Sequence, residues 1–200
     1  MPLVRKGGGE AVPPPPADPS ALTRGSADER WSAARSAPLT PEGVEMLATA
    51  LELETDERVR EAIFTRLARA ATPGSVEAVL PHLRSDDARM RTGALDALKA
   101  MPTAVAPRLA ELLADSDPDV RLLSCEIARE LPGPDATMLL CDLLDRETAA
   151  NVCGAAVEML TEIADPSAAP ALERCAARFP SEPFLTFAIR VALDNIRSAS

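Results

Sequence analysis

SDPDVRLLSCEIARELPGPDATMLLCDLL, residues 116–144, holds one complete structural unit. Acidic, capping residues Ser116-Asp-Pro-Asp119 open an apolar helix near Asp117, and Pro132-Gly133-Pro134 stop it. A second apolar helix runs to Leu143-Leu144, and Asp145 opens the next unit. Neither helix can bury its apolar face alone, so the unit is stable only when stacked on similar units.

Working outward, the same marker recurs. It reads Ser26-Ala-Asp-Glu-Arg-Trp31, Thr55-Asp-Glu-Arg-Val59-Arg60 and Ser85-Asp-Asp-Ala-Arg-Met90-Arg91, with weaker copies at Thr148-Ala-Ala-Asn-Val152 and Ser181-Glu-Pro-Phe184. Apolar anchors at 31, 59, 90, 120, 152 and 184 are separated by 28, 31, 30, 32 and 32 residues. Eight residues beyond each anchor stand Leu39, Leu67, Leu98, Ala128, Leu160 and Ala192. Pro38, Pro73, Pro102, Pro132 and Pro166 follow the first helices and enforce the turns. No stretch alternates with period two, so no strands are expected. The pattern predicts an all-α chain, a solenoid of about five and a half helical-hairpin repeats. The sixth repeat ends after its first helix, which makes about eleven helices.

Composition is consistent with this. Apolar residues make up 46% of the 200, but aromatics only 2%, so Ala, Leu and Val must pack thin helix-on-helix layers. A net charge of -10 argues against a nucleic-acid or anionic-membrane surface. No apolar run approaches the ~20 residues that span a bilayer. Arg5-Lys6 is followed by no apolar stretch, as a secretory signal requires. Cys125, Cys141, Cys153 and Cys175 form no C-x-x-C pair and suit reduced thiols in a cytoplasmic protein. Residues 1–25, with Gly7-Gly8-Gly9 and Pro13 to Pro16, read as a disordered tail with a short polyproline II piece, and 26–200 as the solenoid. The tail is a spacer or a ligand for a proline-binding module.

The V-R after acidic residues resembles HEAT repeats, as does the run Leu109-Ala-Glu-Leu-Leu-Ala-Asp-Ser-Asp-Pro-Asp-Val-Arg121. The resemblance is to the short bacterial type known as phycobilisome-lyase-like HEAT repeats, over about residues 26–197. It implies a curved, right-handed α-α superhelix with first helices outside and second helices inside, the inner surface holding a protein partner. It also implies an Asp–Arg ladder between repeats, from Asp56 and Arg60, Asp87 and Arg91, and Asp117 and Arg121. The ladder is expected to lapse where Ser32, Cys153 and Leu185 replace Arg. HEAT-repeat iron hydroxylases use His-Glu pairs as metal ligands, and none occurs here.

Nothing in the sequence marks an enzyme, a metal site or a cofactor. His82, the only His, falls in an apolar slot and lacks the companions a metal site needs. Three Cys read as small hydrophobes, while Cys153, in a ladder Arg position, is expected to be partly exposed. Trp31, Phe179, Phe184 and Phe187 cap the ends of the core or anchor a partner. The acidic turns read as a solvated edge that steers a basic partner. The function expected is a non-catalytic protein-protein interaction scaffold or adaptor, of the kind found in bacterial signalling or regulatory complexes. Its partner is another protein with a basic or amphipathic segment, and neither nucleic acid nor membrane. The expected contacts are Glu77, Arg84, Arg108, Glu111, Glu173, Arg174 and Arg178, on second helices. The alternative is a bilin lyase or lyase-chaperone subunit of the phycobilisome-lyase type.

Overall fold

The computed structural model describes residues 19–199. Among them there are no strands and eleven α-helices. First helices of the hairpins are α1 (Ala27–Ser36), α3 (Glu57–Ala70), α5 (Ala88–Lys99), α7 (Pro118–Ala128), α9 (Ala150–Ile163) and α11 (Pro183–Ala199). Second helices are α2 (Pro41–Leu53), α4 (Pro73–Val79), α6 (Pro102–Leu112), α8 (Gly133–Arg146) and α10 (Ala169–Arg178). Each first helix packs on the next, from α1 to α11, while α2 packs on α4, α4 on α6 and α8 on α10. This is the expected solenoid of stacked hairpins, in two layers.

The local chemistry sets the helix ends. Ser26, Thr40, Asp56, Thr72, Asp87 and Asp117 each accept a backbone N–H from the first turn they cap, satisfying donors that no helical carbonyl reaches. Pro73 and Pro102 are the first residues of α4 and α6, where a missing N–H costs nothing. One second helix departs from expectation. Pro81 cannot donate to the ladder, so α4 ends at Val79 and Leu80–Arg84 continue as a 3-10 turn. The core is a continuous run of Leu, Val, Ile and Ala, with Leu47, Leu67, Leu98, Leu109, Leu140 and Leu160 fully buried.

Two ends differ from the sequence reading. Up to residue 18 the expected tail lies outside the described residues. Pro19–Leu22 form a 3-10 turn, and Leu22, only 2% exposed, belongs to the core, so packing begins before residue 26. At the other end α11 buries Leu185, Ile189, Ala192 and Ile196, leaving Phe184 90% and Phe187 58% exposed. The anchor of the sixth unit is therefore Leu185, not Phe184, and these rings do not cap the core. In the first unit, counting from the cap puts Glu29 where Val59 stands, and Trp31 is half-buried beneath Arg35 and Arg58, at 4.4 and 5.4 Å from its ring centre.

Ion pairs tie the repeats together in a pattern keyed to the cap. Four residues past the cap stand Arg30, Arg60, Arg91 and Arg121. Each donates to a carbonyl of its own entry loop: Gly25, Glu54, Ser85 and Asp115. Arg30 also grips Glu54 through Nε and Nη2 at 2.7 and 3.0 Å, and Arg121 grips Glu147 at 2.6 and 3.0 Å. Arg60 reaches Asp87 at 2.9 Å, the cap of the following first helix. Arg91 makes only its carbonyl bond. The Asp residues of the expected ladder are thus helix caps first, and of the expected Asp–Arg residues only Arg60 and Asp87 pair with each other. Arg30 serves in the first unit, two residues before Ser32.

Glu54 and Glu147 are the buried carboxylates of this system, 6% and 5% exposed. Each also accepts two loop N–H groups, of Thr55 and Asp56, or of Thr148 and Ala149. The Arg30 hydrogen bonds hold Glu54 below its usual value of 4.5, against the upward push of burial. Burial raises Glu147, but Arg121 and the two N–H groups outweigh it and leave it lowered.

Arg121→Ala strands a buried carboxylate and is expected to cost about 3 kcal/mol. Arg91→Ala removes one hydrogen bond, about 1 kcal/mol. Arg174→Ala breaks an exposed pair, under about 1 kcal/mol. Urea melts of the three variants check this order. A carboxyl whose pKa is lowered by folding binds its proton more readily in the unfolded chain. Stability from Glu54 and Glu147 is therefore full above pH about 4.5 and is lost as pH falls below it. A Glu54→Gln/Glu147→Gln chain is expected to be less stable at pH 7, with a flatter decline in melting temperature between pH 5 and about 3.

Candidate interaction surfaces

The second-helix layer carries the residues that the sequence singled out, and most of them pair within the chain. Arg108 on α6 bonds Glu77 on α4 and lies 3.1 Å from Glu111 on its own helix. Arg84 pairs with Asp115 in the loop after α6. Arg174 on α10 grips Asp145 through Nε and Nη2, at 2.9 and 2.8 Å. Glu173 is exposed and has no ion pair. Arg178 has a structural task. From α10 it donates to the carbonyls of Leu144 and Asp145 in the last turn of α8 and of Glu147 in the loop that enters α9. That loop belongs to the unit whose first helix carries Cys153 in place of Arg, so Arg178 supplies the missing guanidinium from the opposite layer.

This substitution also explains the thiols. Cys153 is fully buried, not partly exposed, because no long side chain has to leave the core at that point. Cys125 and Cys175 are buried too, and only Cys141 is half-exposed. Burial pushes Cys125 up to about 12 and Cys141 up to about 11. Contact with Cys153 and the nearby Arg178 charge draw Cys175 down to about 7, but it has no exposed surface. His82 is half-buried, its ring edge-on to Phe64 at 6.0 Å between centres, and burial lowers its pKa. Among the described residues no group of three or more His, Cys, Asp and Glu is placed to hold a metal ion.

A concavity lies elsewhere, between α3 and α5 in the first-helix layer. It measures about 610 Å³. Phe64, Met90 and Ala97 form its floor, all nearly buried. Gly93 lets the Phe64 ring lie against α5, since a Cβ there would stand 2.7 Å from it. At one end Arg89 pairs with Glu57, and Arg60 is held by Asp87. Glu61 on α3, Asp96 on α5 and Arg69 at the far end line the groove without an ion pair or side-chain hydrogen bond. Sequence reasoning missed this site. Its signal was a Phe on one first helix facing a Gly on the next, visible only once the helices are aligned by their caps. No helix among the described residues is long and apolar enough to cross a membrane.

Native labelling with a maleimide at pH 8 is expected to modify Cys141 first, with Cys125, Cys153 and Cys175 at least about tenfold slower, as burial dictates. Peptide mapping of partly labelled protein reads the order, and early modification of Cys153 would contradict the packing described.

Comparison with known proteins follows the same architecture. Residues 105–191 match the family model of HEAT repeats. A search of curated proteins finds no match. Among solved structures the chain is similar to human deoxyhypusine hydroxylase, at 18% identity over 90% of this chain and 83% of that one, with a TM-score of 0.45. It is similar to a designed armadillo repeat protein in complex with a (KR)4 peptide, at 16% identity over 89% and 97%, TM-score 0.48. It is also similar to the complex of CpcE and CpcF of phycocyanin lyase from Nostoc, at 18% identity over 98% of this chain and 99% of that one, TM-score 0.38. All three scores stay below 0.5, and the fold rests on the stacked helices themselves. On the match over residues 105–191 and the repeated unit that produces it, the chain carries HEAT-like repeats.

Proposed function

We propose that the chain is a non-catalytic scaffold that binds another protein, and that the first-helix layer takes part in the contact. The observation that carries this is the open α3–α5 groove, apolar at its floor and lined in part by Glu61, Asp96 and Arg69, which have no ion pair within the chain. Those groups lose little within the chain on meeting a partner. The second-helix charges differ, because Glu77, Arg84, Arg108, Glu111 and Arg174 would each have to leave or share an existing ion pair. The buried Arg30–Glu54 and Arg121–Glu147 pairs hold neighbouring repeats in fixed relation, so the surface is organised before binding and little ordering cost remains.

The test is a reconstituted complex with a purified partner found by capture from the native host and identified by mass spectrometry. Thr65→Trp, at the mouth of the groove, is expected to weaken binding at least about tenfold, as filling an anchor pocket does. Glu77→Lys and Glu111→Lys are expected to have smaller effects, and raised salt to slow association more than it speeds dissociation. If only the Glu77 and Glu111 variants lose binding, the second-helix layer is the working face. If no purified protein forms a complex, the scaffold reading fails.

A further inference from the structure

We infer that the α3–α5 groove is built for a basic amphipathic helix, with one aromatic or long aliphatic side chain seated on Phe64 and Met90. This rests on the interaction reading above and specifies its partner chemistry. Three observations converge. The groove follows the helix axes from Glu57 to Arg69, and at 1.5 Å per residue that is about 18 Å, or roughly three turns of a docked helix. Its floor is apolar, because Gly93 offers no side chain and the Phe64 ring lies directly against α5, where a Cβ would stand 2.7 Å from it. Its unpaired charges are two carboxylates and one guanidinium, and they are spread along it in order.

Counted from the helix caps Asp56 and Asp87, Glu61 lies early on α3 and Asp96 about one turn later on α5. The Phe64 ring and Gly93 lie between them. An apolar anchor dropped there would have a carboxylate about half a turn to either side along the axes, on opposite walls. The matching segment carries Lys or Arg within one turn of its anchor, both before and after it. At the far end Arg69, next to Ala100, favours an acidic residue or a helix C-terminus in the partner. The reverse charge pattern, an acidic helix, would meet Glu61 and Asp96 with like charge and no internal cation to neutralise them.

The measurement uses the full chain with methyl-labelled methionines and an 18-residue synthetic Lys/Leu amphipathic helix bearing one central Trp on its apolar face. Met90 lines the groove, while Met46, Met138 and Met159 lie on other helices, so the Met90 methyl signal, assigned with Met90→Leu, reports the site. That signal is expected to shift and saturate with the basic peptide. A scrambled peptide of the same composition is expected to bind at least about tenfold more weakly, and a Glu-for-Lys version not to shift it. Glu61→Lys/Asp96→Lys, and separately Thr65→Trp, are expected to weaken binding at least about tenfold. Glu158→Lys, exposed on α9 in the same layer, should change it less than about twofold. All four substituted residues are exposed, and circular dichroism of each variant verifies the fold. Binding that leaves Met90 unmoved, or an acidic peptide that binds as well as the basic one, would overturn the inference. The titration needs no native partner, so its failure leaves the scaffold reading standing. Failure of the reconstituted complex leaves the groove chemistry standing.

Discussion

A buried carboxylate shared between a guanidinium and the start of a helix is what the stack depends on. Glu54 and Glu147 each accept two bonds from an Arg of one first helix and two from the loop that opens the next. Hydrophobic stacking fixes no rotation between two helices lined by Leu and Ala. Four directed bonds at one carboxylate do, because guanidinium and loop must both lie in its plane. Such a pair adds little net stability over apolar packing, since both charges lose water, but breaking it leaves a buried charge. Its value lies in register. The same position two residues before the cap is Ser85 or Asp115 in the middle units, where the side chain still accepts the cap N–H but receives no Arg from the preceding first helix.

That difference is where the groove appears. Between α1 and α3, and between α7 and α9, a bidentate Arg–Glu pair draws the helices together at their starts. Between α3 and α5 the ties are the more exposed Arg60–Asp87 and Arg89–Glu57 pairs, and the contact beyond them is Phe64 against a glycine. Here a large ring lies against a missing side chain, where the other junctions carry paired side chains such as Lys99 and Glu126, or Arg129 and Glu162.

The repeat itself was legible in the sequence, because caps, prolines and a period near 30 residues are local signals. The first and last units were read out of register for a definite reason. Alignment on apolar anchors follows side-chain type, and Trp31 and Phe184 are apolar without being buried at the anchor position. Alignment on the cap follows backbone geometry and places Arg30 and Leu185 correctly. Cys153 was misjudged by a related step. A position that holds Arg in other units need not stay open when Arg is lost, and here Arg178 reaches across from α10 to the same loop. Glu54 and Glu147 were read with the other acidic turn residues as a solvated edge. Composition does not distinguish a carboxylate that caps a loop from one that faces water.

Charge placement on the two layers bears on how a scaffold of this kind can be specific. Ion pairs between neighbouring second helices stiffen that face and also occupy the groups that would otherwise recognise a partner. An incoming charge there must compete with an intramolecular one at high effective concentration. On the groove wall the competition is only with water. A net charge of -10 draws cationic partners generally, and it speeds encounter without choosing among them. Choice has to come from short-range features that a diffuse field lacks: an apolar floor of fixed size, and two carboxylates whose spacing is set by helices that cannot slide. The buried Arg–Glu pairs far from the groove therefore contribute to recognition by holding that spacing, although they touch no partner.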